Sequence, residues 1–372
     1  MRRLPGDRGR ETVSLVRIVG ALDPHVHLRG MEWAHKGDFA TETAAALAGG
    51  YTAVLDMPNT PPPTTDSQGL ERKLEDLSKN ARCDYGVWLG AHPSGVRPEA
   101  ELARLSGRVC GMKLYCGHTT GGLTVTPSQM DRQVAAWPGP GVLGAHAEEE
   151  SVGVFLASLA RHGKRGHLCH IDTARAVAEV AEHKSRGTKV TAGVCPHHLL
   201  FCDRDLPSLG PRGIMKPPLG TSADREALWE GIRRGVIDVV ESDHAPHTWD
   251  EKLGVPTPFG VPGLETTIPL LFTAVREGRI TADRAVELVS VAPRRIFGLD
   301  PRPAGTYTLV DVGARWTITP ETLYTSCRWT PFSGMEVSGM IRRVVIRGRV
   351  VFEDGEVLAP KGFGSNLYDD VC

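Results

Sequence analysis

The 372-residue chain has almost no net charge, few aromatic residues and no long apolar run. A formal charge of −1 and a pI near 6.9 give no long-range field to gather nucleic acid or an anionic membrane, so neither is expected as a partner. An anionic small-molecule substrate would have to be held by a few local charges. No stretch reaches the roughly 18 apolar residues that a spanning helix needs. Met1-Arg2-Arg3 leads into no apolar segment, so no signal peptide is expected. The final Asp370-Val371-Cys372 is not a prenylation box, because its cysteine is last. The eight cysteines form no C-x-x-C pair and no regular framework. They read as reduced thiols of a cytoplasmic protein. Lysine is scarce, 10 against 33 arginines, a bias that carries no functional reading. There is no internal repeat or low-complexity tract.

What is present is alternation. Short apolar runs at 17–22, 51–57, 85–91, 109–115, 142–146, 167–171, 190–194 and 236–240 read as eight strands. Helical patterns fall at 39–48, 70–77, 127–136, 151–161, 173–183 and 224–233, with two more at 267–277 and 282–290. Strands alternating with helices imply parallel pairing through crossovers, and eight of them suggest a closed (β/α)8 barrel of the TIM type. The pattern alone leaves an open doubly wound sheet as the alternative. From Tyr307 the text turns to β, with Asp354-Gly355 as a hairpin turn. The expected division is a catalytic barrel over 18–300 and a small β-rich appendage from 1–17 and 301–372.

The chemistry concentrates at strand ends. Asp23-Pro24-His25-Val26-His27-Leu28-Arg29 places two histidines at i and i+2, on one side of a strand. At a barrel strand's C-terminal end they point into the mouth, where barrel active sites lie. Neutral imidazole suits zinc and similar divalent ions. Alone, an H-x-H is as easily a structural pair. Lys113, however, is placed at the end of the fourth strand, His146 at the fifth and His170 at the sixth, and Asp243 follows the eighth. These six residues form one coherent half-ring of metal-compatible groups.

That arrangement resembles the binuclear amidohydrolases, and within them the dihydroorotases. The matching motifs are Asp23-Pro-His-Val-His-Leu-Arg29, Met57-Pro-Asn-Thr60, Met112-Lys-Leu-Tyr115, Pro217-Pro-Leu-Gly220, Ser242-Asp-His-Ala-Pro-His247 and Pro262-Gly-Leu-Glu-Thr266. The similarity runs from about Leu22 to Gly364 and includes the tail text Trp329-Thr-Pro-Phe332, as in the dihydroorotase domain of the animal multifunctional pyrimidine-synthesis protein.

The resemblance implies two divalent metal ions, with zinc expected, bridged by Lys113 carboxylated on its amine. One ion would sit on His25, His27 and Asp243, the other on His146 and His170. The implied reaction is reversible metal-hydroxide hydrolysis and cyclisation between L-dihydroorotate and N-carbamoyl-L-aspartate, with Asp243 as general base. Arg29 shares the face of His27 and could hold a substrate carboxylate bidentately. The resemblance adds Asn59, His247 and the Gly260 backbone as substrate contacts. The plain alternatives are a salt-bridged Lys113, a surface Arg29, a turn at Asn59 and a loop histidine at His247.

Three departures qualify the match. Lys216 stands where close relatives have arginine, which keeps the charge but loses the planar fork. The loop Gly30-Met-Glu-Trp-Ala-His-Lys36 lacks the usual Glu-Pro-Gly. In Cys116-Gly-His-Thr-Thr-Gly-Gly122, Thr119 is kept as a possible lid contact, while Thr120 replaces a bulky aromatic; a flexible surface turn is the alternative. Supporting roles are expected for His197, His198, His244 and Glu148. Competing functions are another cyclic amidohydrolase, an allantoinase or hydantoinase, and a non-catalytic scaffold for aspartate transcarbamoylase. The scaffold should have lost metal ligands, and all six are here. Homo-oligomerisation or association with aspartate transcarbamoylase is a possible partnership under the first reading.

Overall fold

The computed structural model describes residues 14–92, 94–117 and 121–369. Eight parallel strands pair in sequence order: Leu22–Val26, Ala53–Asp56, Asp84–Gly90, Gly111–Tyr115, Val142–His146, Gly166–Leu168, Val190–Val194 and Val239–Val240. A parallel bridge between Val26 and His244 joins the first strand to the segment after the eighth and closes the ring. The barrel expected from the alternation is therefore present, and the open sheet is excluded.

Helices cover the outside. Phe39–Ala48 and Pro127–Ala136 coincide with the segments expected from sequence. Both begin with a capping box, Asp38 with Thr41 and Thr126 with Gln129, which satisfies first-turn N–H groups that would otherwise lack partners. Glu99–Ser106 is a helix that the periodicity did not predict, with only Leu102 and Leu105 as its large buried apolar residues.

Inside the barrel Trp88 is fully buried and donates from Nε1 to the Pro24 carbonyl at 3.0 Å. Neighbouring strands make room for it: a Cβ at Gly144 would fall 2.6 Å from the indole ring. Burying such a ring contributes on the order of 5 kcal/mol gross. Near the mouth, Asp56 accepts from the Leu28 N–H at 2.8 Å and from Lys73 Nζ at 2.6 Å. This fully buried pair fixes the start of the His27–Arg29 segment. Removing either partner would leave an uncompensated charge, at about 3–5 kcal/mol.

The segment expected as the first barrel strand, 17–22, is split between two sheets. Leu15–Val19 pairs antiparallel with Tyr307–Thr317, and the barrel begins only at Leu22. The second sheet runs Leu15–Val19, Tyr307–Thr317, Glu336–Ile346, Arg349–Glu353, Glu356–Val357, all antiparallel. Alternating exposed and buried residues in Leu15–Val19 suit a one-sided sheet, whereas Leu22–Val26 is buried throughout, as a barrel strand must be. Asp354 and Gly355 both have positive φ between the last two strands, as the hairpin signal required. The second sheet docks on helix Thr267–Arg276, where Thr273 Oγ1 accepts from the Ser338 N–H at 2.8 Å.

Candidate active site

The barrel mouth holds a cavity with about 380 Å³ of empty space, part of it open to solvent. Its walls include His25, His27, Arg29, Asn59, His146, His170, Lys216, Asp243 and Gly260. Tyr115, Ala245 and Phe259 complete them. Lys113 and His247 lie behind the wall, both fully buried. Thr119 lies outside the described residues, as do His118 and Thr120.

Asp243 is the hub. Its Oδ1 lies 3.1 Å from His25 Nε2 and 3.3 Å from His27 Nε2. Burial alone would raise its pKa, but His25 and His27 hold it well below the usual carboxylate range, so it is ionised. His27 is turned toward it by Asn59, whose Oδ1 lies 2.8 Å from His27 Nδ1. Across the mouth His146 Nδ1 lies 3.2 Å from His170 Nε2, and Glu148 sits 2.9 Å from His146 Nε2. Burial keeps these imidazoles neutral: His27 is pushed down to about 3, and His146 and His170 are also lowered. His25 differs. Burial and Lys113 oppose its proton, but Asp243 and Cys169 raise its pKa well above the ordinary value.

The backbone is strained at three of these positions. Arg29, His170 and Asp243 have φ of 60°, 36° and 45°, a region that residues other than glycine seldom occupy. Glu241 underlies one of them, accepting from the His170 N–H at 2.5 Å. It runs over Gly193, where a Cβ would fall 2.5 Å from its carboxyl carbon.

Lys113 is the central residue of Gly111–Tyr115, not its last, and so lies deeper than the sequence suggested. Its Nζ is 3.0 Å from Cys169 Sγ, and its charge disfavours protonation of His25, His146 and His170, which surround it.

Arg29 Nε donates to the Pro246 carbonyl at 2.9 Å, and burial lowers its pKa only to about 10, so it stays charged. Among the described residues no carboxylate forms a salt bridge with it. His247 stands behind it, with Nε2 2.9 Å from the Phe259 carbonyl and Nδ1 3.4 Å from Lys36 Nζ. With Nε2–H donating to that carbonyl and Nδ1 accepting from Lys36, Arg29 Nη2, 3.2 Å from the same Nε2, finds no acceptor in the ring. Burial, Arg29 and Lys36 keep that ring neutral. Lys216 reaches Glu148 at 3.3 Å. Gly260, at φ +121°, could not carry a side chain, because a Cβ would meet Ala245 at 2.8 Å.

Sequence reading passed over Tyr115, Cys169, Glu241 and Phe259. Cys169 and Glu241 are adjacent in sequence to motif residues, but no spacing rule marks them. Among the described residues, three sets of His, Cys, Asp or Glu bring one ligand atom each within 4.8 Å of the others, and one of them is His25, His170 and Asp243. Two imidazoles and an ionised carboxylate within that reach are a donor set that fits a divalent cation.

The barrel and this ring define the class, an amidohydrolase-type (β/α)8 protein. Comparison with known proteins narrows it. The L-hydantoinase of Arthrobacter aurescens superposes with a TM-score of 0.88 at 24% identity, covering 94% of this chain and 88% of that one. No family model matches. The multifunctional protein CAD of Squalus acanthias is 40% identical over 95% of this chain, which spans only 16% of that protein's length. The dihydroorotase of Pyrococcus furiosus is 33% identical over 93% of this chain and 84% of its own. The chain belongs to the dihydroorotase family.

Seven described cysteines are free thiols, and no helix among the described residues is long and apolar enough to cross a membrane.

Proposed function

We propose that the chain interconverts L-dihydroorotate and N-carbamoyl-L-aspartate, a step of pyrimidine nucleotide synthesis. The observation that carries this reading is a buried, charged Arg29 without a carboxylate partner among the described residues, lining the same cavity as the ring around Asp243. A guanidinium there suits the carboxylate that both compounds carry.

One divalent ion, zinc or a similar metal, would be held by His25, His27 and Asp243, and a second by His146 and His170. Lys113, as a carbamate, would lie between them. The carbamate is anionic, so it would invert the repulsion that an ammonium at Lys113 exerts on any cation. When bound, such ions lower the pKa of water and polarise a carbonyl.

The chain's own groups do the rest. Arg29 fixes the substrate carboxylate, helped by Asn59 and the Gly260 backbone. His247 packs behind the guanidinium, and Lys36 holds the far side of that ring. Lys216 supplies a second cation at the wall, tethered by Glu148. Asp243 takes a proton from the attacking water and returns it to the ring nitrogen as the amide C–N bond opens. In ring closure it runs the same transfer backwards. Thr119 is proposed as a contact from the segment 116–122. Association with aspartate transcarbamoylase, or with copies of itself, is the proposed partnership.

The test is a pair of variants. Asp243→Ala removes the base and a ligand and should cut turnover by about 10²–10⁴-fold or more. Lys113→Ala should lose bound metal as well as activity. Full activity in Asp243→Ala, or full metal content in Lys113→Ala, would contradict the assignments.

A further inference from the structure

We propose that Cys195, His197 and His198 form a separate, closed site for a borderline-soft divalent cation of the zinc class. The residues follow the seventh barrel strand, in the turn and short helix Pro196–Leu200. One ligand atom from each lies within 4.8 Å of the others, and all three side chains are buried. The set shares no residue with the ring around Asp243, and none of the three lines its cavity.

Two independent observations mark this cluster as a ligand set and not as packing. The first is the unmet valence of its nitrogens. His197 Nδ1, His197 Nε2 and His198 Nδ1 have no hydrogen-bond partner among the described residues, and the two rings meet edge to face with centroids 4.4 Å apart. Buried polar atoms are nearly always satisfied, and three orphans in adjacent residues need an explanation. A cation would take up two of them, His198 Nδ1 and one nitrogen of His197.

The second is the orientation of His198. Its Nε2 lies 3.1 Å from the Pro217 carbonyl. A carbonyl only accepts, so the proton is on Nε2 and Nδ1 carries a bare lone pair. Metal-binding histidines characteristically donate their other N–H to a carbonyl or carboxylate in this way. Burial drives His198 down to about 4 and His197 well below its usual value, so both rings are neutral and able to ligate.

The surroundings favour positive charge. Burial raises the Cys195 thiol, and Asp243, Glu241 and Asp23 raise it further. A cation at the cluster would face those three carboxylates and would draw the thiol into its ionised form as a ligand. Bonds of about 2.3 Å to sulfur and 2.0–2.1 Å to nitrogen would draw together ligand atoms that now lie within 4.8 Å of one another. The consequence is structural. Through His198 and Pro217 the site ties the end of the seventh strand to the segment carrying Lys216, which lines the active cavity.

The readout is metal content and ligand identity, so it stands apart from dihydroorotate turnover. Protein produced in zinc medium is analysed for zinc per chain without exposure to chelators. Cys195→Ser should hold one zinc fewer than the parent. Because the buried Cys169 thiol lies within ligand reach of His25 and Glu241, sulfur ligation is read in a Cys169→Ser background by X-ray absorption at the zinc edge. Sulfur should remain there and vanish when Cys195→Ser is added. Unchanged zinc content in Cys195→Ser would overturn the proposal. So would the absence of sulfur ligation in Cys169→Ser, a result that does not depend on the folding of any Cys195 variant.

Discussion

Arg29 shows how one buried charge can define a substrate class. Its aliphatic stem and guanidinium are enclosed, its Nε is satisfied by Pro246, its Nη2 lies 3.2 Å from His247 Nε2, and the residue lines the cavity. Arg29→Met keeps the volume and removes the charge. The expected result is a KM for dihydroorotate raised about 10–100-fold, the worth of a charge-assisted hydrogen bond, with metal content unchanged. Unchanged kinetics would remove Arg29 from the substrate site. Gly260→Ala tests the proposed backbone contact. At φ +121° and with Ala245 in the way, the variant should lose about 1–3 kcal/mol of stability or shift the loop and raise KM; a melting curve and a KM matching the parent would contradict this. His25, His27, His146, His170 and Asp243 were legible in the sequence because strand periodicity places them at the barrel mouth. Glu241 was not. Its role depends on Gly193 of the neighbouring strand leaving space, a through-space pairing that no linear spacing encodes. Lys113 was legible in identity but not in depth, because strand ends are the least certain feature of a sequence reading.

At the scale of elements, helix Phe39–Ala48 does more than cover the barrel. Its Glu42, fully buried, lies 2.8 Å from His244 Nε2 and accepts from Thr325 Oγ1 at 2.6 Å and from the Ser326 N–H at 3.1 Å. It therefore joins a barrel helix, the residue after Asp243 and the segment leading to the second sheet. Burial opposes its charge, but those hydrogen bonds lower its pKa from the ordinary 4.5. A carboxyl lowered in the fold contributes stability that is present above the unfolded value and lost as pH falls through the folded one. Glu42→Gln should therefore cost about 1–3 kcal/mol at neutral pH and flatten the loss of stability below about pH 4.5. Thermal melts across that range check both, and equal acid sensitivity in the two proteins would contradict them. The helices with strong apolar periodicity were readable. Glu99–Ser106 was missed because only Leu102 and Leu105 mark its apolar face. The strand Leu15–Val19 was misplaced because Gly20 and Ala21, which separate it from Leu22–Val26, do not interrupt the apolar run.

For the whole molecule, the second sheet and the barrel mouth are one mechanical unit. Trp329 donates from Nε1 to the His247 carbonyl at 2.8 Å, and Glu265 accepts from the Tyr324 and Thr325 N–H groups at 2.7 and 2.8 Å. The segment that returns to the second sheet thus supports the loop bearing Asp243 and His247. A division into a barrel and a β-rich appendage remains our proposal, and the two sheets favour placing its first boundary between Val19 and Leu22 in place of 17/18. The central claim is substrate choice, because the barrel and the metal-compatible ring suit several cyclic amides while the unpaired Arg29 suits a carboxylated one. The most direct measurement is turnover of L-dihydroorotate by the purified protein, beside hydantoin and allantoin, with bound metal counted on the same sample. The account predicts metal-loaded protein whose activity is confined to dihydroorotate. Metal-loaded protein that hydrolyses hydantoin or allantoin and leaves dihydroorotate untouched would contradict it.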